Sequence, residues 1–300
     1  MLVVGGSGFI GRHLVRRCLE DTARVTIASR RHHTCAVGGA AVVSIELADR
    51  ASLAPLAAGA FDYVFNLAGY IDHTPYFSGG RKVIEQHLIG VLNLIDALDR
   101  SSLKGFVQVG SSDEYGDLPA PQREDRVGRS ISPYALAKQS AGAFVQMLAE
   151  REGFPGAVAR LFLVYGPGQD EGRFLPQIIT ACLRNERFAV SPGAQQRDFC
   201  YVEDIVDGLV RTAVTSAAHG GVLNLGSGEG STVRQVIERV VAMAGGGVPD
   251  FGARPYRAGE SMALVPDIGR ARTILGWQPE TSLDQGLTRT IAYYRERTAS

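Results

Sequence analysis

The chain has 300 residues, with 31 Lys and Arg against 31 Asp and Glu, and 45% of it is hydrophobic. That much apolar material with so little charge builds a core and excludes a disordered chain. A net charge of zero gives no electrostatic reason to bind nucleic acid or an anionic membrane, so neither partner is expected. Cys18, Cys35, Cys182 and Cys200 fall in no CxxC or paired spacing, so neither a metal site nor a disulfide framework is expected. No run reaches the roughly 18 apolar residues of a membrane span. Met1-Leu2-Val3-Val4 leads straight into glycines with no basic segment before it, which does not read as a secretory signal; the expectation is a cytoplasmic protein.

In chain order, Leu2–Val4 reads as a short buried strand and residues 9–20 as a helix with Ile10, Leu14 and Cys18 on one face. Val25–Ala28, Val42–Ile45 and Tyr63–Leu67 read as further strands, with a short helix beginning at Leu53–Leu56. Residues 81–99 carry apolar positions at a 3.6-residue period, Phe106–Val109 is a fifth strand, and 134–151 is another helix. Short, continuous apolar strands alternating with helices imply a parallel sheet covered on both faces. Ala157–Leu163 reads as a strand and Leu175–Leu183 and 203–215 as helices. Val222–Leu225 follows as a strand, 232–244 as a helix, and 246–270 as a loop-rich stretch. The alternation breaks down near Tyr165-Gly166-Pro167-Gly168, which sets a boundary between 1–167 and 168–300, with a return crossing around 195–230.

Gly5-Gly6-Ser7-Gly8-Phe9-Ile10-Gly11 closes the first strand and opens the first helix. Glycine is needed where the chain turns sharply and where a pyrophosphate approaches main-chain N–H groups, and the helix N-terminus adds unpaired donors and a positive dipole end. The expected ligand is a dinucleotide held by Gly5, Ser7, Gly8, Phe9, Ile10 and Gly11. The second strand ends in Ala28-Ser29-Arg30-Arg31, where NAD-binding folds usually place an acidic residue for the ribose 2′-hydroxyl. Ser29, Arg30 and Arg31 would instead hold a 2′-phosphate, so NADP(H) is expected, with NAD(H) open if the arginines are only a solvated pair. Glu46-Leu47-Ala48-Asp49, after the third strand, can reach the adenine edge. Glycines 166, 168, 226 and 228 are read together with 5, 8 and 11 as phosphate-facing turns.

Tyr134-Ala135-Leu136-Ala137-Lys138 puts a tyrosine and a lysine on one helix face. A nearby ammonium lowers a phenol pKa, which suits proton exchange near neutral pH. Val109-Gly110-Ser111-Ser112-Asp113-Glu114-Tyr115-Gly116 sets hydroxyls at the carboxyl end of a parallel strand, where ligands bind in such sheets.

The glycine loop, the serine strand end and YxxxK, in this order, resemble the extended short-chain dehydrogenase/reductase family of nucleotide-sugar epimerases, dehydratases and reductases. The resemblance spans the chain. It takes in Asn66-Leu67-Ala68-Gly69, the segments 160–169 and 196–204, Leu223–Gly228 and Leu275-Gly276-Trp277. It implies a Rossmann-type doubly wound parallel sheet with a smaller α/β C-terminal substrate domain. It implies Tyr134 as general acid/base, Lys138 on the nicotinamide ribose, and Ser111 on the reacting sugar oxygen, or Ser112 if the alignment is gapped. Leu67, Ala68 and Gly69 would flank the cofactor. Asp113 and Glu114 would face the substrate, and Arg197 and Arg257 its diphosphate, although Arg197-Asp198 also reads as a surface ion pair. Trp277 reads as core. His87 stands where many relatives carry Asn, either as a donor near the lysine or as a packed helix residue. A homodimer through a four-helix bundle of 81–99 and 134–151 is implied.

The arginine pair leans toward an NADPH-dependent reductase of a nucleotide-diphosphate 4-keto-6-deoxyhexose, and residues 110–116 are similar to that stretch in such reductases. The alternative is a 4-epimerase or 4,6-dehydratase with retained NAD(P). The non-enzyme alternative is a dinucleotide-sensing binding protein, which would not need Ser111, Tyr134 and Lys138 together.

Overall fold

The computed structural model describes residues 1–30, 38–256 and 259–298. Its strands in chain order are β1 (Leu2–Val4), β2 (Thr26–Ser29), β3 (Ala41–Ser44), β4 (Tyr63–Asn66), β5 (Gly105–Ser111), β6 (Gly156–Leu161) and β7 (Leu163–Tyr165). They continue as β8 (Arg187–Val190), β9 (Gln196–Tyr201), β10 (Val222–Leu225), β11 (Gly230–Thr232), β12 (Val248–Phe251) and β13 (Ala263–Leu264). The main sheet runs β10-β6-β5-β4-β1-β2-β3, and every neighbouring pair in it is parallel.

Parallel neighbours need crossovers, and these place helices on both faces of the sheet. Successive side chains point to opposite faces. Leu2 and Val4 therefore join one buried cluster with Val64, Leu94 and Val145. Val3 joins the other, with Leu14, Leu209, Leu223 and Trp277. The order reverses beside β1, so the carboxyl ends of β1, β4 and β5 open onto one crevice, where doubly wound sheets bind ligands.

The strand expected over 157–163 divides at Phe162: β6 stays in the main sheet, while β7 pairs with β9 in a second one. That second sheet has β9 between β11 and β13, and a third pairing joins β8 to β12. Helices Phe174–Leu183, Val233–Ala244 and Leu283–Thr298 pack on it around Ile179, Phe199, Val236 and Leu287. The chain returns to the main sheet through helix Val202–Val214 and β10. The stretch 246–270 is not only loop, since it contributes β12 and β13.

The helix expected over 81–99 is α-helical at Arg81–Ile84 and Gly90–Ala97 with a π turn, Glu85–Ile89, between them. Single π turns inside helices often mark functional positions, and this one carries His87. The helix that bears Tyr134 begins firmly. Ser132 accepts from the Ala135 N–H at 3.1 Å, Pro133 follows in the first turn, and Gly153 ends it at φ +70°. Among the described residues no helix is long and apolar enough to cross a membrane.

Candidate active site

A cleft of about 230 Å³ lies over the carboxyl ends of β1, β2 and β4, lined by Gly5, Ser7, Gly8, Ser29, Arg30, Leu47, Leu67, Ala68 and Gly69 among others. The glycine loop is shaped by backbone alone. Gly5 has φ +79°, its N–H donates to Ala28 O, and Gly8 N–H donates to Gly5 O. A Cβ on Gly11 would lie 2.3 Å from Gly5 O, so only glycine lets helix Phe9–Glu20 close on the loop. Gly8 caps that helix with no side-chain hydrogen bond and no acidic residue in the first turn, which leaves its N-terminus to an anion. Phe9 and Ile10 lean back on the core behind the loop. These features fit a dinucleotide pyrophosphate.

At the far end of the cleft Ser29 is buried and Arg30 is exposed. Arg31 lies outside the described residues. Glu46 lines the cleft and accepts from Gln86 Nε2 at 2.9 Å, whereas Asp49 caps the following turn by accepting from Ala51 N–H, so it does not face the adenine end. On the other wall Asn66 donates to Gln108 and accepts from the Ala68 N–H, which fixes the turn that presents Leu67, Ala68 and Gly69.

The expected proton-transfer residues converge behind the Tyr70 side of the cleft, to which His87 joins Tyr134. Ser111 ends β5, and its side chain hydrogen-bonds Tyr134. Ser112, half-buried, begins the next turn. Lys138 is buried and donates to Val109 O at 2.9 Å, with its Nζ 6.0 Å from the Tyr134 ring centroid. Burial brings the Lys138 ammonium down to about 8. Burial also pushes the Tyr134 phenol up, with the Asp113 and Glu114 carboxylates acting in the same direction and the Ser111 hydrogen bond opposing them. The lowered tyrosine expected from Lys138 is therefore not a property of the chain by itself, because desolvation dominates.

His87 is packed and directed at once. Its ring meets Tyr134 edge-on at 5.1 Å, and its Nε2–H donates to Tyr70 O at 3.0 Å. Burial, aided by Lys138, brings it down to about 3, so the ring is neutral and Nδ1 carries a lone pair. That Nδ1 is buried and accepts from no described group. Gly69 makes room for the ring: a Cβ there would lie 2.1 Å from His87 Cε1.

Three expectations change. Glu114 does not face a substrate: it is buried, accepts from Ser111 N–H at 2.7 Å and pairs with Arg160 Nε at 2.8 Å. Asp198 is no surface partner of Arg197; it is fully buried and accepts from Ser227 N–H, Ser227 Oγ and Gly228 N–H. Burial pushes Asp198 up to about 6. Glycines 226 and 228 therefore belong to a turn closed by Asp198, whose carboxylate takes the Ser227 and Gly228 N–H groups, so this turn is not a phosphate-facing one. Arg197 sits on β9 and donates to Gln196 O and to Glu260. Arg257 lies outside the described residues. Trp277 is core, as expected, with its indole N–H on Asp204 O.

The model of the NAD dependent epimerase/dehydratase family matches residues 1–226. The chain belongs to this family. It is similar to the Xenopus tropicalis protein named UDP-glucuronic acid decarboxylase 1, at 28% identity over 311 residues that cover 99% of this chain and 72% of the relative. Among solved structures it is similar to the Thermotoga maritima UDP-glucose 4-epimerase with UDP-glucose, at 26% identity, TM-score 0.90 and 99% of each chain. It is also similar to MoeE5 in complex with UDP-glucose and NAD, at 28% identity and TM-score 0.87, over 100% of this chain and 99% of that one.

For this member of the epimerase/dehydratase family, three nearby residues escape sequence reading. His73 bonds Asp113 and stands beside Tyr134. Arg160 sits beneath Ser111 through Glu114. Arg173 is an exposed cation whose charge reaches Tyr134. Only Arg160 lay in a segment the resemblance had singled out, and nothing in its motif names Glu114 as partner.

Proposed function

We propose that this chain transforms a nucleotide-diphosphate sugar through a transient C4 ketone, in a redox-neutral cycle of the epimerase or dehydratase type with the dinucleotide retained. The observation that carries this reading is the Ser111–Tyr134–Lys138 constellation, joined through His87 to the Gly69–Tyr70 wall of the glycine-lined cleft. The relatives that bind or act on UDP-sugars support the substrate class. Gly5, Ser7, Gly8, Gly11, Leu67, Ala68, Gly69 and Lys138 would hold a nicotinamide dinucleotide, which when bound supplies the hydride acceptor and donor. Tyr134 would take the proton of the C4 hydroxyl and later return it. Ser111 would hydrogen-bond the same oxygen while it is a carbonyl. Lys138, a buried cation, would favour the phenolate once Tyr134 has lost its proton. Arg197 would meet the diphosphate by exchanging Glu260 for it, joined by Arg257.

A second reading, NADPH-dependent reduction of a nucleotide-diphosphate 4-keto-6-deoxyhexose, is favoured by Ser29 and Arg30 at the ribose end of the cleft with no acidic residue in that strand end. The relatives favour the first. The two separate on one preparation. Protein denatured as purified should release a stoichiometric dinucleotide, and incubation with UDP-glucose should yield a changed sugar without net NAD(P)H consumption. Tyr134→Phe should lower turnover by about 100- to 10,000-fold while the dinucleotide stays bound. Unchanged turnover refutes the mechanism, and stoichiometric NADPH consumption with a 4-keto sugar selects the second reading. We also propose a homodimer through helices 81–97 and 133–152, which leave Ile89, Leu136 and Met147 exposed.

A further inference from the structure

We infer that Glu114, held by Arg160, is a positioning residue of the proton-transfer site: it fixes the Ser111 end of β5 and supplies the buried counter-charge for Lys138. The inference rests on the C4-ketone reading above and deepens it. The Glu114 side chain has no exposed surface, so it acts through its neighbours.

The two carboxylate oxygens are divided between two tasks. Oε1 accepts from the Ser111 N–H at 2.7 Å, and Oε2 accepts from Arg160 Nε at 2.8 Å. Ser111 Oγ in turn accepts from the Asp113 N–H at 3.2 Å, so the last residue of β5 is gripped by main chain and side chain. Two glycines leave room for the carboxylate. A Cβ on Gly110 would lie 2.4 Å from Oε1, and one on Gly142 would lie 3.9 Å from Oε2. Gly142 is four residues after Lys138 on helix Pro133–Glu152 and shares its face. The carboxylate therefore lies over the stretch of helix that carries Lys138.

A buried ammonium needs an anion to stay charged. Lys138 donates to Val109 O and has no carboxylate within ion-pair distance among the described residues. Burial draws its proton off, and the Glu114 carboxylate opposes that loss. The other titratable groups around it offer no such charge. The His87 ring is neutral, the Tyr134 phenol is pushed up by burial, and Asp113 turns outward to His73. Arg160 is a cation at any working pH and fixes the carboxylate in place. Tyr134 can release its proton readily only beside a charged Lys138. Glu114 thus sets the upper end of the pH range in which the proton-transfer residues work.

The test uses the three lysines of the chain, Lys82, Lys104 and Lys138, of which the first two are exposed. Lysine labelled with carbon-13 at Cε gives three NMR signals in the full chain, and Lys138→Met identifies the third. The wild-type Lys138 signal should titrate with a midpoint of about 8. Glu114→Gln keeps an oxygen for the Ser111 N–H and removes the charge, so it should lower that midpoint by about 1 pH unit or more. Glu114→Val with Arg160→Met, which removes both charges without orphaning either, should lower it in the same way. In UDP-glucose conversion by the NAD-loaded chain, the alkaline limb of kcat/KM should move down by the same amount in both, a loss of about tenfold above the wild-type midpoint. A Lys138 midpoint unmoved in both variants overturns the inference. A turnover loss that is equal at every pH also overturns it and reduces the pair to a structural one. A wild type that yields no changed sugar nucleotide overturns the parent reading and the catalytic part of this one, whereas the lysine titration judges the Glu114 counter-charge in either case.

Discussion

Replacing Glu114 by Gln should destabilise the fold by about 3–5 kcal/mol, the cost of removing one partner from a buried ion pair. The Glu114 side chain has no exposed surface and that of Arg160 only 7%, with Nε and Oε2 2.8 Å apart. At an effective dielectric constant near 20, charges at that separation attract by about 6 kcal/mol. Desolvation cancels much of that in the intact pair, yet it does not vanish when one partner is neutralised. The guanidinium would lose its counter-charge and keep the neutral amide and Tyr115, whose ring centroid is 4.7 Å from Cζ, while its Nη1 is already buried and unpaired among the described residues. The guanidinium cannot neutralise itself, because its pKa is far above any working pH. Urea denaturation at 25 °C measures the loss. The combined variant Glu114→Val with Arg160→Met should recover most of it, because apolar replacements of a buried pair are often neutral or stabilising. A Glu114→Gln variant within about 1 kcal/mol of wild type, or single losses that simply add in the double variant, would refute a coupled buried pair.

Other consequences can be measured on the same protein. Gly11→Ala places a Cβ 2.3 Å from Gly5 O and 2.7 Å from Gly6 Cα, both backbone, so it should cost about 1–3 kcal/mol and weaken dinucleotide binding in a fluorescence titration. With Lys138 brought down to about 8 by burial, kcat/KM should fall about tenfold per pH unit above that value, and Lys138→Met should lack this limb at a lower overall rate. The folded lysine gives up its proton before the unfolded one does. Between about 8 and 10.4 the unfolded chain therefore binds more protons, and folding stability should rise with pH across that window. Arg30→Ala combined with Arg31→Ala should weaken NADPH more than NADH; equal losses would remove the case for a 2′-phosphate. Leu136→Glu, at an exposed apolar position on the Tyr134 helix, should convert a dimer to a monomer in analytical ultracentrifugation.

The main sheet is legible in the sequence because buried parallel strands are continuous apolar runs, and Leu2–Val4 or Phe106–Val109 can be little else. The second sheet is not. Its central strand begins Gln196-Arg197-Asp198, and the polar lead conceals it because Asp198 is buried as a cap for the 227–228 turn. Helix Leu283–Thr298 hides for a related reason. Part of its buried face is Gly286 and Thr290, small or polar residues that hydropathy does not count. A Cβ on Gly286 would lie 2.1 Å from Tyr165 Oη, so the fold needs a residue that looks like a helix breaker.

Site legibility follows the same divide. Tyr134 and Lys138 are four residues apart on one helix, so their spacing declares them. Glu114 and Asp113 are adjacent in sequence, yet one faces inward to Arg160 and the other outward to His73. What separates them is the direction of a short turn, which composition does not encode. The turn also settles the electrostatics that a zero net charge leaves open. Arg160 is answered by Glu114 and Arg197 by Glu260, each inside the protein. On the proposed function, charge for an anionic ligand comes from the uncapped helix at Gly8, from Lys138 and Arg30, and from Arg197 by exchange with Glu260. A site assembled this way binds by placement of a few groups in a low-dielectric cleft. Its affinity for dinucleotide should therefore depend only weakly on salt, in contrast to a protein that captures anions with a basic surface.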